Sequence, residues 1–183
     1  MKAFFVAFAS VATALTACAA LFTSACGTSD PPAGCASIAS CPTPDPATTQ
    51  LTSPAVSFKT DVVPLFQQSC ALSTSCHQDK VGGPSGLYLG GASNAPADPA
   101  GVYASIVGVA SIELPSMPYV KAGDLANSFL MHKMDGSQCQ FSAQCGATPA
   151  PNCGDVMPQS SCPLTGAQRD TVRRWIAQGA QNN

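Results

Sequence analysis

Cysteine content is the feature that most restricts how this chain can fold. Ten of its 183 residues are Cys, and its first residues have the layout of a signal peptide. Lys2 precedes an uncharged apolar run from Phe4 to Ala17, which predicts export from the cytoplasm. Because an even set of cysteines in an oxidising compartment favours disulfide bonds, the sequence predicts a small domain stapled by them.

The end of the apolar run predicts a lipid anchor. Leu15-Thr16-Ala17-Cys18 resembles the bacterial lipobox, in which the cysteine receives diacylglycerol. Cys26 is a second candidate, because the polar linker begins directly after it. The alternative is an ordinary secretory signal with release of the mature chain. No second apolar run approaches the roughly 20 residues of a spanning helix, so we expect an envelope lipoprotein anchored to the membrane and facing the periplasm or the exterior.

Three segments follow from the composition. Residues 1–26 hold the signal peptide and the lipidation site. Residues 27–56 contain six prolines among small polar residues and show no hydrophobic period, which predicts a semi-extended tether. Residues 57–183 form the predicted folded domain. Eight Lys or Arg stand against ten Asp or Glu in the whole chain, so no basic surface for nucleic acid is expected.

Hydrophobic spacing predicts a mainly α, loop-rich domain. Ser57 is placed to cap a first helix, which Pro64 kinks or restarts. Thr165 caps the last helix, Gln168 completes a capping-box spacing, and Gly179 ends it. The remaining predicted elements are a short helix around residues 99–107, a helix over 124–134, and loops over 77–98 and 136–163.

The segment Cys70-Ala71-Leu72-Ser73-Thr74-Ser75-Cys76-His77 carries the strongest chemical signal. In c-type haem attachment two cysteines form thioethers to the porphyrin, and the His after the second cysteine is the proximal iron ligand. Cys76 and His77 fit this pattern. The spacing between the cysteines is five residues, where two is usual, and Ser73 stands at the usual first position. Either Cys70 reaches the haem through a looped-out segment, or Cys76 alone is attached, or no haem is attached.

The order of several sequence blocks resembles the short class I-like cytochrome c domains of bacterial envelope lipoproteins. The resemblance covers roughly residues 57–180. Its blocks are Phe58 to Phe66, the Cys-His pair, Gly86-Leu87-Tyr88-Leu89, Gly123 to Leu130, Val156-Met157-Pro158, and Leu164-Thr165 leading to Trp175 through Ala180.

The resemblance implies a small cytochrome c-like helical domain that binds haem c through Cys70 and Cys76. His77 would be the proximal iron ligand and Met157 the distal one, while the helix of Trp175 would pack across the first helix. The implied function is electron transfer to a redox partner protein, without catalysis.

Disulfide bonds are the competing interpretation of the cysteines. The five-residue spacing recurs at Cys35 and Cys41 and at Cys139 and Cys145, where no His follows and a local disulfide is natural. By analogy Cys70 and Cys76 would form a third such bond, and Cys153 and Cys162 would close around Met157. The protein would then be a haem-free structural or binding lipoprotein that keeps a cytochrome c-like scaffold.

Other site types are less well supported. A zinc site of Cys70, Cys76, His77 and His132 would need thiolates and has irregular spacing. Met131 and Met134 are interpreted as core residues, and His132 as a partly exposed helix residue. Gly83-Pro84-Ser85-Gly86 falls short of a nucleophile elbow, and no phosphate loop or carboxylate pair is present. The sequence therefore does not predict an enzyme.

Overall fold

A computed structural model of the chain describes residues 50–81, 83–146, 153–159 and 161–183. The predicted signal peptide, the lipidation candidates Cys18 and Cys26, the tether up to residue 49, and the cysteines Cys35 and Cys41 lie outside the described residues. In the described ranges, no helix combines the length and the apolar character that crossing a membrane requires.

The predicted mainly α class is confirmed. The described part of the chain has no β-strand, and only two isolated bridges, Val107 with Val120 and Ala110 with Pro118, resemble one. Four α-helices, one π-helical turn and three 3₁₀-helices are joined by loops. In chain order they are the π-turn Phe58–Val62, α1 (Val63–Ser69), a 3₁₀-helix Pro84–Gly86, α2 (Pro99–Ile106), a 3₁₀-helix Leu125–Asn127, α3 (Phe129–Asp135), a 3₁₀-helix Gln138–Gln144, and α4 (Gly166–Ala177).

Both predicted helix starts with a capping residue are confirmed. The Ser57 hydroxyl accepts a hydrogen bond from the Thr60 N–H at 3.3 Å, and Pro64 lies in the first turn of α1, where its missing N–H costs nothing. At α4, Thr165 and Gln168 form a complete capping box. These ends were predictable because a cap is a local contact between residues three positions apart.

The predicted helix over 124–134 is divided at Ser128. Ser128 is fully buried and extended, and it separates the 3₁₀-helix Leu125–Asn127 from α3. Its hydroxyl accepts from the Lys121 N–H at 2.9 Å and donates to the Asp124 carbonyl at 2.7 Å. A serine hydroxyl that bonds nearby backbone in this way competes with helix continuation, which explains the break.

The first helical segment packs against α4 through aromatic rings. The Phe58 ring is stacked on Trp175 with centroids 4.6 Å apart and planes 20° apart, and Tyr103 meets Phe58 edge-on at 5.7 Å. The Trp175 Nε1–H donates to the Gln181 carbonyl at 2.9 Å. The last helix thus contacts the first, as the resemblance implied, and closes one core.

Chain segments before Ser57 also join this core. Val56 is buried, and its N–H donates to the Gln178 side chain at 2.9 Å. The Gln178 amide group in turn donates to the Leu51 and Pro54 carbonyls at 3.1 and 2.9 Å. The folded unit therefore includes residues 51–56 at the end of the predicted tether.

Candidate cofactor-binding cavity

One cavity lies between the end of α1, the loop after it, α3 and the segment 153–159. Its cavity volume is about 130 Å³, and it is partly open to solvent. Its walls are mostly apolar, formed by Leu72, Pro84, Leu87, Leu89, Tyr119, Phe129, Leu130, Met134 and Pro158. The polar residues that reach it are Ser69, Ser75, Glu113, Lys133 and Gln159.

Four residues singled out from the sequence line this same cavity: Cys70, Cys76, His77 and Met157. The first three follow α1, whereas Met157 comes from the segment before α4. Sequence spacing alone does not place the two segments together. The fold therefore joins the Cys-His motif and the Met-Pro dipeptide around one apolar space.

His77 is held by the backbone in a buried position. Its Nδ1 lies 3.3 Å from the Leu87 carbonyl oxygen, and its own carbonyl accepts from the Leu89 N–H at 2.8 Å. Burial lowers the pKa of His77, although the Leu87 carbonyl opposes that shift. With Nδ1–H donating to Leu87, Nε2 keeps its lone pair, which is the arrangement of a metal-binding histidine.

The burial of His77 predicts that the haem-free protein loses stability in mild acid. The folded pKa lies below the ordinary value of 6.5, so the unfolded chain takes up the proton first as the pH falls. The free energy of unfolding should therefore decrease as the pH drops from about 7 to about 5, above the range where carboxylates titrate. Urea unfolding at several pH values should show a shallower slope for His77→Gln. An unchanged slope would contradict this role of His77.

The two cysteines of the motif differ in the structure. Cys70 is a free, buried thiol, and burial raises its pKa to about 12, so it stays protonated. Cys76 is disulfide-bonded, and the Ser73 hydroxyl lies 3.3 Å from its sulfur. The predicted Cys70–Cys76 disulfide is therefore wrong. A sulfur in a disulfide bond cannot at the same time carry a thioether, which makes the state of Cys76 decisive for haem attachment.

A disulfide joins Cys145 to Cys153, with Cα atoms 5.2 Å apart. The predicted Cys139–Cys145 and Cys153–Cys162 pairs are wrong, although Cys139 and Cys162 are also disulfide-bonded. Cys139 lies near the start of the 3₁₀-helix Gln138–Gln144, and Cys145 follows its end. At about 2 Å rise per residue their Cα atoms lie roughly 12 Å apart, too far for a disulfide.

Met157 lies on a short loop that α3 holds in place. Its N–H donates to the Lys133 carbonyl at 2.9 Å, and its side chain is half-buried against the cavity. Met134 is a second thioether on the cavity wall, which the sequence assigned to core filling, and it is nearly fully buried. Met131 is buried away from the cavity lining, in agreement with its predicted core role.

Two charged residues of the cavity wall were not predicted from the sequence. Glu113 and Lys133 form an ion pair with 3.1 Å between Oε2 and Nζ. The one sequence feature that could have drawn attention to Glu113 is that it is the only Glu in the chain. Lys133 has no such feature, because a Lys on a short helix is normally solvated.

His132 does not join the motif residues. It is buried, not partly exposed as predicted, and both ring nitrogens are engaged: Nδ1 with the Ser137 hydroxyl at 2.8 Å and Nε2 with the Ala126 carbonyl at 3.1 Å. Within the described ranges, no three His, Cys, Asp or Glu side chains are grouped as metal ligands. The disfavoured zinc hypothesis thus has no supporting geometry there.

Comparison with known proteins leaves the cavity as the basis for a functional assignment. No protein-family model, no curated protein and no solved structure matches the chain.

Proposed function

We propose that this protein is a membrane-tethered, cytochrome c-like electron carrier that binds one haem c in the cavity. The observation that carries the proposal is the meeting of His77 and Met157 at one apolar space. An imidazole nitrogen and a thioether sulfur are the axial ligand pair of c-type cytochromes. The Cys-His motif and the Met-Pro dipeptide lie 80 residues apart in the sequence, so their meeting at one cavity supports the proposal.

The chemistry of the residues that line the cavity fits a haem. His77 is neutral and oriented by the Leu87 carbonyl, which suits a proximal ligand. Met157 supplies a soft distal ligand, which raises the reduction potential relative to a second His. The bound haem would supply one-electron chemistry. The chain's part is to hold the two ligands and to keep water away through the apolar walls.

Covalent attachment depends on the two cysteines. Cys70 offers a free thiol at the cavity. Thioether formation would add its S–H across a vinyl group, with the sulfur bonding one vinyl carbon and the hydrogen passing to the other. Attachment at Cys76 requires the thiol form of that residue during haem insertion, because a disulfide sulfur has no S–H to add. Cys70→Ser distinguishes one thioether from two, since the reduced pyridine spectrum shifts with the number of vinyl groups consumed.

Replacement of Met157 by Ala is expected to change the iron spectrum and lower the reduction potential, because the soft distal ligand is lost. The readouts are the ferric sulfur-to-iron charge-transfer band and a potentiometric titration. Met131→Leu is the matched control, since Met131 is buried but does not line the cavity. Met134→Leu tests the second thioether on the wall. An unchanged spectrum in Met157→Ala would remove Met157 as the ligand.

A haem-free function has one specific observation in its favour. Cys76 is disulfide-bonded in the structure, which is the state expected of a stapled binding or structural lipoprotein. In that case the apolar cavity would take a different apolar ligand, or none. The absence of covalent haem from protein made alongside a cytochrome maturation system would select this alternative.

The protein is proposed to function in the cell envelope. A lipid on Cys18 or Cys26 would keep the domain near the membrane, where a redox partner protein could accept or supply electrons. Replacement of each cysteine by Ser, followed by separation of membrane and soluble fractions, identifies the lipidated residue. Release by neither single replacement nor the double one would contradict the lipid anchor.

A further inference from the structure

Besides the Cys145–Cys153 disulfide, hydrogen bonds to Lys133 hold the segment 153–159 against α3. The Lys133 ammonium donates to the Cys153 carbonyl at 2.8 Å, and the Lys133 carbonyl accepts from the Met157 N–H at 2.9 Å. One residue of α3 therefore holds this segment at two points, four residues apart. Gln138 adds a third contact, because its amide nitrogen donates to the Gly154 carbonyl at 3.2 Å.

The Lys133 ammonium is buried and forms an ion pair with Glu113. The Lys133 side chain is 7% exposed and the Glu113 side chain 17% exposed, so both charges have left most of their water. Burial lowers the pKa of Lys133, while the carboxylate of Glu113 opposes this shift and favours the charged form. The backbone of Glu113 is held as well, since its carbonyl accepts from the Gly146 N–H at 2.9 Å.

Gly154 lets the backbone of the segment lie directly on this ion pair. A Cβ atom at this position would lie 2.7 Å from the Glu113 Oε1 and 2.9 Å from the Lys133 Nζ, and the φ angle of Gly154 is +67°. No side chain fits between the backbone and the two charges. The close approach shows that the backbone at Gly154 lies directly against the ion pair.

We propose that Lys133 is a positioning residue for Met157, acting through the Glu113–Lys133 ion pair that fixes the segment 153–159 against the cavity. The proposal rests on the proposed function for the role of Met157 as an iron ligand. The placement of the segment itself can be measured without haem. Apolar packing alone would hold Met157 less firmly, because its side chain is only half-buried.

The test is amide hydrogen exchange of the haem-free protein in which Lys133 is replaced by Met. Loss of a charged hydrogen bond should speed exchange of the Met157 amide on the order of 10- to 100-fold, while amides of α4 keep their rates. Lys121→Met is the matched control, since Lys121 pairs with Asp124 at the surface. Equal protection of the Met157 amide in Lys133→Met and in the parent would overturn the proposal.

The double variant Lys133→Met with Glu113→Leu separates positioning from general stability. An apolar pair in place of a buried ion pair often preserves the stability of a fold, so this variant also serves if the single variant does not fold. We expect stability near the parent value together with fast exchange at Met157. Restored protection at Met157 would show that the pair is merely structural and would overturn the proposal.

The haem-loaded protein gives a second readout. In Lys133→Met the ferric sulfur-to-iron charge-transfer band should weaken or disappear at lower urea concentration than in the parent, whereas Lys121→Met should match the parent. A band that persists equally in both would contradict the positioning role. If the chain carries no haem, the proposed function is wrong, and the exchange comparison alone decides the role of Lys133.

Discussion

His77→Ala is expected to abolish the low-spin haem spectrum of the loaded protein, even if the haem stays attached. His77 is the predicted proximal ligand, and its Nδ1 lies 3.3 Å from the Leu87 carbonyl, so the ring is already oriented in the haem-free fold. Removal of residues that merely orient a metal ligand typically costs about 10- to 100-fold in affinity, so loss of the ligand should cost at least that much.

His132→Gln is the control for this prediction, because His132 is the only other His in the chain. Its ring nitrogens are hydrogen-bonded to Ser137 and Ala126, and His132 does not line the cavity. Absorption spectra of the ferric and ferrous forms should therefore be unchanged in this variant. If His77→Ala kept the parent spectrum, the proximal assignment would be wrong.

Asp135→Asn is expected to lower the free energy of unfolding by about 3–5 kcal/mol, because it removes the buried carboxylate that two guanidinium groups share. Asp135 ends α3 and accepts from Arg173 of α4, while the Arg169 Nε lies 3.1 Å from the same oxygen. Arg173 also contacts Asp170 at 2.6 Å. Asp135 and Arg173 are both nearly inaccessible to solvent, so water cannot replace the lost partner.

Urea unfolding of the variant and the parent measures this effect. Lys80→Gln is the control, since Lys80 pairs with Asp98 at an exposed position, and its loss should have no measurable effect. A loss below about 1 kcal/mol in Asp135→Asn would contradict this prediction, because losses of that size are typical of exposed ion pairs.

Local contacts explain what could be predicted of the fold. Ser57, Thr165 and Gln168 act within four residues of their partners, so their caps could be recognised from the sequence. The burial of Trp175 followed from helical spacing in the same way. Ser128 could not be predicted as a break, because its hydroxyl bonds the Lys121 N–H, and that contact exists only after the preceding loop has folded.

The cavity was predictable only in part, for a similar reason. His77 and Met157 were identified by motifs, and the structure brings both to one space. Cysteine pairing was not predictable from equal spacing, since the 3₁₀-helix Gln138–Gln144 carries Cys139 away from Cys145 and leaves Cys145 beside Cys153. The pair of Glu113 and Lys133 depends on how distant segments meet, which hydrophobic periodicity does not specify.

Haem content of the protein tests the central proposal most directly. The full chain should be expressed with a cytochrome maturation system, purified, denatured in acid and organic solvent, and examined for absorbance that stays with the polypeptide. We expect a Soret band corresponding to one covalently bound haem per chain, lost when Cys70 and Cys76 are both replaced by Ser. Polypeptide without covalent Soret absorbance under these conditions would contradict the assignment of this protein as a haem c electron carrier.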